Sequence, residues 1–429
     1  MTVAIILAAG KGTRMRSHMA KVAHRIGGRP LIAHVHTAVS ALGDVTPLYV
    51  LGHLHESVRE LLPAETGVVL QEDQRGTGHA VRIAMDAVAP ECAEVLVLYG
   101  DMPLITPETL QALRARHAER GARLTVLSAE VAAPHGYGRI VRAVDGTPLA
   151  VIEEKELTAE QRAITEINTG VYAIDAAWLR QALRDLPEHA DGEYYLTDLV
   201  AQAAQQRGLE VLPDALADEV LGVNDRRQLA QAERLLRMRV NSTLMDAGVT
   251  LIDPASAYIA ADATIGMDTI IEPQVWIGEG VTIGEGCYIG SHSRIVASAI
   301  GDRCVIMASV IEYAQVEQGV SIGPFSHLRV GAMLDTGVHV GNFAEIKNSS
   351  IGDGAKVPHF SYVGDATVGR RVNIGAGSVT ANYDGRQKHH STIGDDAFIG
   401  SGTILRAPVN IGAGGITGAG SVVTHDVGD

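Results

Sequence analysis

An aliphatic residue recurs at every sixth position over most of the second half of this chain, and this period restricts the fold more than any other feature. The repeat comprises Ile265, Ile271, Ile277, Ile283, Ile289 and Ile295, then, after a shift of register, Val310, Val316, Ile322, Leu328, Leu334, Val340 and Ile346, and finally Val357, Val363, Val368, Ile374, Ile393, Ile399, Leu405 and Ile411. Six is not a multiple of 3.6, so an α-helix could not hold these residues on one face. Six is a multiple of two, so short strands joined by turns can point each of them inward. We therefore predict stacked triangular coils, three hexads to a coil, around one aliphatic core.

This repeat resembles that of the hexapeptide acyltransferases, whose coils form a left-handed parallel β-helix. The left hand is implied by the resemblance alone, because parallel crossover connections are in general right-handed. A β-sandwich rich in glycine turns is the alternative. The length over which the six-residue register persists argues against it.

The composition limits the partners and the compartment. The chain has 429 residues, too many for one core, so two domains are expected. A formal net charge of −15 argues against nucleic acid and anionic membranes as partners. Cys92, Cys287 and Cys304 lie far apart without a CxxC motif, which indicates small core residues in a reducing cytoplasm rather than disulfides or a zinc site. The apolar start lacks a basic segment and no stretch reaches membrane-spanning length, so we predict no signal peptide and no membrane insertion.

The first half of the chain alternates strand and helix patterns. Strands are predicted at Val3–Leu7, Leu48–Leu51 and Val95–Tyr99, and helices at Leu31–Leu42, Gly78–Val88 and Pro107–His117. This alternation predicts a Rossmann-like α/β domain with an open, mostly parallel sheet that helices cover on both faces. Ligands of such sheets bind beyond the carboxyl ends of the strands, where Ala8–Arg14 and Gly100-Asp101 would lie.

The composition changes between Asn224 and Ala247, where charged residues with leucines on one side predict a long helix. We predict an α/β domain at 1–226, a linker helix at 227–248 and a β-helix domain at 249–429. An ordinary surface helix would give the same pattern as a connecting arm. The hexads are interrupted at Asn382–Ser391 by a polar, basic insertion, which is either a binding loop or a tolerated surface insertion.

A segment of small residues, Leu7–Met15, follows the first strand, and Lys21 comes shortly after it. The segment is not a Walker A loop, since GxxxxGK[ST] is absent, nor a dinucleotide fingerprint, since Met15 stands at the third glycine's place. Its small residues would still let backbone N–H groups approach a phosphate, with Arg14 and Lys21 supplying positive charge. For this segment alone, a purely structural turn is the alternative.

The complete set of motifs is more specific than this loop. LAAGKGTRM resembles the signature of sugar-nucleotide pyrophosphorylases. Further matches follow in order at Gln71, Gly76–Ala80, Tyr99–Asp101, Gly136–Arg139, Glu153, Glu166–Gly170, Gly192–Tyr195 and Gly222–Asn224. With the hexads, they resemble the bacterial bifunctional family that combines an N-acetylglucosamine-1-phosphate uridyltransferase with a glucosamine-1-phosphate acetyltransferase. The resemblance extends from the first loop to the last residue.

The resemblance implies roles for the residues of the N-terminal, uridyltransferase half. Asp101 and Asn224 match the ligands of a Mg²⁺ ion, which prefers oxygen ligands. Arg14 and Lys21 match the catalytic cations that face the transferring phosphorus. The sugar 1-phosphate attacks the α-phosphorus of UTP, pyrophosphate leaves, and metal and cations stabilise the developing charge. Contacts to UTP or UDP-N-acetylglucosamine are implied for Leu7, Ala8, Ala9, Gly10, Lys21, Gln71, Gly76, Thr77, Tyr99, Gly100, Asp101, Gly138, Glu153, Asn168 and Asn224.

The resemblance implies a second site in the hexads. His359 matches the general base, a neutral imidazole that takes a proton from the ammonium of glucosamine 1-phosphate so that the amine can attack the acetyl-CoA thioester. Glu345 would orient or polarise, and the Ala376 backbone N–H matches an oxyanion donor. Arg329, Lys347, Tyr362 and Asn373 match contacts to glucosamine 1-phosphate, and Ala376, Asn382, Tyr383, Ser401 and Ala419 match contacts to acetyl-CoA. A homotrimer with active sites between chains is also implied, the Asn382 loop reaching a neighbouring subunit.

Three features depart from the family's pattern. Ala20 replaces the proline before Lys21, Val330 replaces the proline after Arg329, and the chain stops at Asp429 without the family's late arginine and basic tail. Loss of a proline is expected to loosen a loop without removing a functional group. Lack of the arginine is expected to weaken acetyl-CoA binding by about ten- to a hundredfold, because a charge-assisted hydrogen bond contributes roughly 1.5–3 kcal/mol.

The resulting prediction is a cytoplasmic enzyme that acetylates glucosamine 1-phosphate with acetyl-CoA and then uridylylates the product with UTP, supplying precursors of peptidoglycan and lipopolysaccharide. One alternative is a single-activity sugar-1-phosphate nucleotidyltransferase with a structural β-helix, against which His359 and Lys347 argue. The other is a non-catalytic sugar-nucleotide-binding regulator, against which Asp101, Asn224 and Lys21 argue.

Overall fold

The computed structural model describes residues 1–213 and 215–429. Contacts divide the chain into two compact units, Met1–Leu235 and Leu236–Asp429. The division falls inside one long helix, Arg226–Asp246, so the segment interpreted as a connecting arm is helical. The predicted domain boundaries at 226 and 248 stay a prediction.

The first unit is the predicted α/β domain. Its strands are β1 (Thr2–Ala8), β2 (Arg25–Ile26), β3 (Arg29–Pro30), β4 (Val45–Leu51), β5 (Gly67–Leu70), β6 (Glu94–Tyr99), β7 (Leu124–Glu130), β8 (Arg139–Arg142), β9 (Pro148–Ile152), β10 (Glu166–Asp175) and β11 (Leu209–Leu212). Its helices are α1 (Leu31–Ser40), α2 (His55–Arg59), α3 (Gly76–Ala87), α4 (Pro107–Arg120), α5 (Ala176–Ala182) and α6 (Asp198–Gln205), and α7 (Arg226–Asp246) begins in it. The six elements predicted from the sequence are all present, with ends that differ by up to three residues.

The main sheet has the order β11-β7-β10-β6-β1-β4-β5, and β8 and β9 extend it from β10. Strand β1 is buried on both faces, because Ile5 and Val97 pack in one hydrophobic core and Ile6 and Leu98 in the other. Strand β10 is antiparallel to β6 and β7. The sequence pattern does not reveal it, because Asn168–Gly170 interrupt its apolar residues, and the pairing accommodates them in a register shift.

The second unit is the predicted left-handed parallel β-helix, formed by three parallel sheets. The first sheet contains Thr250–Leu251, Ile270–Ile271, Tyr288–Ile289, Val305–Ile306, Ser321–Ile322, His339–Asn342, Lys356–His359, Asn373–Ile374, Phe398–Ile399 and Ile416–Thr417. The second contains Tyr258–Ile259, Trp276–Ile277, Arg294–Val296, Val310–Glu312, His327–Leu328, Glu345–Lys347, Tyr362–Gly364, Val379–Ala381, Ile404–Arg406 and Val422–Val423. The third contains Thr264–Ile265, Thr282–Ile283, Ala299–Ile300, Gln315–Val316, Ala332–Leu334, Ser349–Ile351, Ala366–Val368, Ser391–Ile393 and Asn410–Ile411.

The aliphatic repeat forms one continuous core, as predicted, with one error of register. Val310 was expected to point inward, but the inward residue of that strand is Ile311, which is fully buried, together with Ile300 and Ile306 before it. Several hexads here are shortened by one residue, so the inward position moves and a strict six-residue count misses it.

Helix α7 covers the start of this core. Val240 and Leu244 pack against it, and the buried Asn241 donates through Nδ2 to the carbonyl oxygens of Pro254 and Ala257, at 2.7 and 3.0 Å. These bonds satisfy backbone groups at the open end of the solenoid. No helix within residues 1–213 and 215–429 is long and apolar enough to cross a membrane.

Candidate active sites

A cleft of about 790 Å³ lies in the first unit beyond the carboxyl ends of β1 and β6, where ligands of open parallel sheets bind. The structure brings most of the residues predicted to contact the nucleotide sugar to this cleft. They are Leu7, Ala8, Ala9, Gly10, Lys21, Gln71, Gly76, Thr77, Tyr99, Asp101, Gly138, Glu153 and Asn168. Three predicted residues are outside the lining: Gly100, which is buried, Asn224 and Arg14.

Lys21 and the two predicted metal ligands form one cluster. The Lys21 ammonium contacts Asp101 Oδ2 and donates to Asn224 Oδ1 at 3.0 Å. Gly12 makes room for this lysine, because a Cβ at Gly12 would lie 2.7 Å from the Lys21 Cβ, and its φ of 59° is one that glycine readily adopts. Asn224 therefore belongs to the cleft through Lys21, although it does not line it.

The backbone holds the two oxygen ligands together. Val223 N donates to the Asp101 carbonyl oxygen at 2.9 Å, and Asn224 N donates to Gln228 Oε1 at 2.8 Å, near the start of α7. A carboxylate and an amide oxygen that both face one positive charge suit Mg²⁺, which completes its shell with phosphate and water oxygens. Among the described residues, which are all except position 214, no group of three or more His, Cys, Asp or Glu side chains could hold a metal ion.

The predicted uracil side of the cleft is built by the start of α3. Gln71 donates through Nε2 to the Gly76 carbonyl oxygen at 3.1 Å. Gly76 has a φ of 88°, and a Cβ there would lie 2.6 Å from the Tyr194 carbonyl oxygen, so a side chain would push the Tyr194 segment away. Gln74, which was not predicted, also lines the cleft and donates to the Ala9 carbonyl oxygen at 2.7 Å.

The predicted sugar side of the cleft carries the half-buried carboxyl group of Glu153. Burial raises the pKa of Glu153, and Thr197 Oγ1 donates to Glu153 Oε1 at 3.0 Å. Asn168 donates through Nδ2 to the Tyr172 hydroxyl at 2.8 Å. Tyr137, Tyr195, Lys155 and Thr197 also line the cleft and had no predicted role. The two tyrosines lie within the motifs matched from sequence, whereas Lys155 and Thr197 had no sequence signal.

Arg14 is placed apart from the cleft lining. It lies in the short turn Thr13–Met15 and is exposed to solvent. Its predicted catalytic role stays a prediction. Ala20, in contrast, departs from the family's proline without changing the backbone, because its φ of −57° is one that proline adopts.

In the second unit, the predicted base and three predicted acetyl-CoA contacts form one column. Register pairs Asn342 with His359 on neighbouring coils. On the following coils, Lys356 pairs with Asn373, Asn373 with Phe398, and Phe398 with Ile416. The residues three positions after these four are His359, Ala376, Ser401 and Ala419. They therefore stack in one column, one residue per coil. Since parallel strands are spaced by about 4.8 Å, it is roughly 14 Å long.

His359 is exposed, and its Nδ1 lies 3.4 Å from Asn342 Oδ1. Around the corner, the second sheet carries the predicted phosphate contacts. Arg329 pairs with Glu345 at 2.7 Å, and Lys347 lies one coil above Arg329. Tyr362 is beside Glu345 in register on the next coil. Asn373 begins the strand Asn373–Ile374, lies three residues before Ala376 and pairs with Lys356.

The insertion Asn382–Ser391 forms a short hairpin. Tyr383 pairs with Lys388, and His389 N donates to the Asn382 carbonyl oxygen at 2.8 Å. Asn382 is buried at its base, whereas Tyr383 is exposed. The hairpin brings Lys388, which was not predicted, beside Lys347, and this second amine lowers the pKa of Lys347. Two adjacent ammonium groups form a site suited to an anion.

The α/β cleft and the β-helix site together define the class of protein. A cleft with a lysine and two side-chain oxygen ligands at the carboxyl ends of an α/β sheet is typical of a nucleotidyltransferase. A hexapeptide β-helix with an exposed histidine on one sheet and cations on the next is typical of an acyltransferase. Family models agree: residues 4–206 match the MobA-like NTP transferase domain, 262–299 the bacterial transferase hexapeptide (six repeats), and 391–425 the hexapeptide repeat of succinyl-transferase.

Comparison with full-length relatives identifies the family more specifically than the domain models do. The chain is 50% identical to the bifunctional protein GlmU of Heliobacterium modesticaldum over 99% of this chain and 93% of the relative. It is 46% identical to the GlmU of Halalkalibacterium halodurans, over 99% and 94%, and 47% identical to that of Lactococcus lactis, over 99% and 93%. The chain belongs to the GlmU family. It is a bifunctional enzyme of UDP-N-acetylglucosamine synthesis that joins uridyltransferase and glucosamine-1-phosphate acetyltransferase activities. The predicted family and function are confirmed over both alternatives.

Proposed function

We propose that the cleft of the first unit transfers the uridylyl group and that the histidine column of the second unit transfers the acetyl group. The observation that carries the first assignment is the cluster of Lys21, Asp101 and Asn224 at the end of β6. In uridylyl transfer, the phosphate oxygen of N-acetylglucosamine 1-phosphate attacks the α-phosphorus of UTP, and pyrophosphate departs with the electrons of the broken P–O bond.

Lys21 acts in this reaction as a movable cation. Its ammonium contacts Asp101 and donates to Asn224, and a lysine side chain can turn from them to phosphate oxygens that carry developing charge. We propose Mg²⁺ as the ion that Asp101 and Asn224 then hold, where it would neutralise phosphate charge. We also retain the proposal that Arg14 faces the phosphates.

The remaining groups hold the two ends of the substrate. Gln71 and the backbone at Gly76 and Thr77 would pair with the uracil edge. Gly138, Glu153 and Asn168 would contact the N-acetylglucosamine, and the carboxyl oxygens of Glu153 can accept from sugar hydroxyl groups.

We expect removal of divalent metal to separate the two half-reactions. Excess EDTA should abolish uridylyl transfer, because two oxygen ligands alone leave the phosphate charge unneutralised, and added Mg²⁺ should restore it. Acetyl transfer should be unchanged, since its proposed residues include no metal ligands. The measurement is pyrophosphate release and thiol release in parallel on the same sample. Uridylyl transfer that persists in EDTA would contradict the metal proposal.

The acetyl-transfer assignment rests on the column of His359, Ala376, Ser401 and Ala419. A linear cosubstrate such as acetyl-CoA can lie along it with its thioester at His359. Arg329, Lys347 and Lys388 surround the neighbouring corner and would bind the phosphate of glucosamine 1-phosphate. His359 would accept a proton from the substrate ammonium, so that the free amine can attack the thioester carbonyl, and the Ala376 N–H would donate to the thioester oxygen as it becomes negative. The coenzyme A thiolate would then leave with the electrons of the broken C–S bond. Tyr362, Asn373, Asn382 and Tyr383 complete the proposed site.

We further propose a homotrimer assembled through the β-helix, in the cytoplasm. Phe325, Phe343 and Phe360 are about 60% exposed on successive coils, and the first two rings stack with centroids 5.4 Å apart. Such an exposed apolar column is typical of a surface covered by another chain. The three buried, free cysteines suit a reducing compartment.

We expect the whole chain to sediment as a trimer and the isolated fragment 1–226 as a soluble monomer that still transfers uridylyl groups, because the exposed phenylalanines belong to the second unit. Analytical ultracentrifugation and the pyrophosphate assay measure both. A trimeric 1–226 fragment, or a monomeric whole chain at micromolar concentration, would refute the assembly proposal.

A further inference from the structure

We infer that Asp365, a residue without an assigned role, is a positioning residue that fixes the amide of Asn382 for acetyl-CoA. This inference rests on the proposed acetyl-transfer site, since Asn382 is one of its proposed acetyl-CoA contacts. Asp365 follows the strand Tyr362–Gly364 and is 8% exposed. Its φ of 50° is in the left-handed region, which a non-glycine residue adopts at some cost.

Both carboxylate oxygens of Asp365 accept hydrogen bonds from asparagine side chains. Asn348 Nδ2 donates to Oδ1 at 2.6 Å, and Asn382 Nδ2 donates to Oδ2. Burial raises the pKa of this carboxyl group, but the hydrogen bonds from Asn348 and Asn382 and the charges of Lys388 and Lys347 outweigh that effect and lower it. The carboxylate is therefore ionised at neutral pH, and an ionised carboxylate can only accept.

This acceptor determines which way the Asn382 amide points. Its nitrogen must face Asp365, and the same nitrogen lies 3.3 Å from the Tyr362 hydroxyl as a donor. With both amide hydrogens engaged, the Oδ1 atom is left to accept from a substrate N–H. The pantetheine arm of acetyl-CoA carries amide N–H groups, so an oxygen presented here suits that cosubstrate.

Asp365 also joins the two ends of the Asn382–Ser391 hairpin. Its side chain holds Asn382 at the beginning, and its carbonyl oxygen accepts from Ser391 N at 3.1 Å at the end. Its own N–H donates to the Lys347 carbonyl oxygen at 3.1 Å. One buried residue thus connects the hairpin base with the strand that carries a proposed phosphate contact.

The first test is Asp365→Asn in the whole chain. An amide can present only one oxygen and carries no charge, so one of the two asparagine donors loses its acceptor, and Asn382 loses the charged acceptor that holds its amide. The Michaelis constant for acetyl-CoA should rise roughly tenfold or more, the loss of one charge-assisted hydrogen bond. The constant for glucosamine 1-phosphate should not rise, because removing a negative charge beside Lys347 and Lys388 favours phosphate. A purely structural defect would lower turnover and leave both constants unchanged.

Asp396→Asn is the matched control. Asp396 also lies in the β-helix with a left-handed φ, of 58°, and also accepts side-chain hydrogen bonds, from Arg371. It contacts none of the proposed site residues. Acetyl transfer by this variant should equal that of the unmodified chain, and uridylyl transfer by both variants reports that the first unit is folded.

A double-mutant cycle with Asn382→Ala decides between the outcomes. If Asp365 acts through Asn382, Asp365→Asn adds no further change to the acetyl-CoA Michaelis constant once Asn382 is alanine. If Asn382→Ala raises the constant and Asp365→Asn does not, the positioning role is refuted while the proposed site stands. If Asn382→Ala itself changes nothing, the proposed site is wrong at Asn382 and the inference is refuted with it.

Asn382→Asp keeps the inference testable should Asp365→Asn fail to fold. Two facing carboxyl groups raise the pKa of one of them, and the protonated form can donate to the other. The acetyl-CoA Michaelis constant of this variant should then be low at acid pH and rise as the shared proton is lost, whereas the unmodified chain should show no such rise. Lys347, Lys388 and Tyr362 also face the pair. A constant that does not change between pH 5 and 8 would overturn the role of Asp365.

Discussion

Uridylyl transfer should be abolished by Asp101→Ala, while acetyl transfer continues at the rate of the unmodified chain. The variant removes the only carboxylate that contacts Lys21 in the described part of the cleft, and with it a proposed metal ligand. The loss of several kcal/mol of charge stabilisation in the transition state corresponds to a decrease of three or more orders of magnitude. Pyrophosphate release and thiol release, measured on one preparation, give both activities.

Two further variants make the Asp101 result specific. Asp86→Ala removes an exposed carboxylate from α3, outside the cleft lining, and should leave both activities intact. Asp101→Asn keeps an oxygen but loses the charge, so residual activity that rises with Mg²⁺ concentration is expected from it. Loss of both half-reactions in a folded Asp101→Ala protein would contradict the assignment of the two reactions to separate units.

How much of this fold the sequence predicts depends on whether each structural feature is encoded by residues that are neighbours in the chain. The period from Ile265 to Ile411 predicted the β-helix, because each hexad carries its own inward residue and its own turn. The same count failed at Val310, where shortened hexads place Ile311 inward. Strand β10 was not predicted, because Asn168–Gly170 interrupt its apolar residues.

The same distinction applies to the residues of the two candidate sites. Residues in compact motifs, such as Gln71 and Gly76, were predicted and do line one cleft. Residues that meet the site only through tertiary contacts were not predicted. Lys388 is far from Lys347 in sequence, and the hairpin brings the two together. Asp365 contacts Asn348 and Asn382, which lie on the neighbouring coils. Nothing in the local pattern around either residue distinguishes it from an ordinary turn residue.

Acetyl transfer should depend on His359 more than on any other residue of the second unit. We expect His359→Ala to lower the acetylation turnover by about 10²–10⁴-fold, the usual contribution of a general base. The Michaelis constant for glucosamine 1-phosphate should change little, because Arg329, Lys347 and Lys388 remain to bind its phosphate. Steady-state thiol release with each substrate varied in turn separates the two parameters.

The pH profile provides the mechanistic readout for His359. In His359→Ala no imidazole takes the proton from the substrate ammonium, so the residual rate depends on the small fraction of substrate amine that is already free and should rise steadily with pH. His425→Ala, which removes an exposed histidine near the end of the solenoid, should keep the turnover and the pH profile of the unmodified chain. A His359→Ala turnover within a few-fold of the unmodified chain would exclude His359 as the base and leave the column of Ala376, Ser401 and Ala419 without its reactive end.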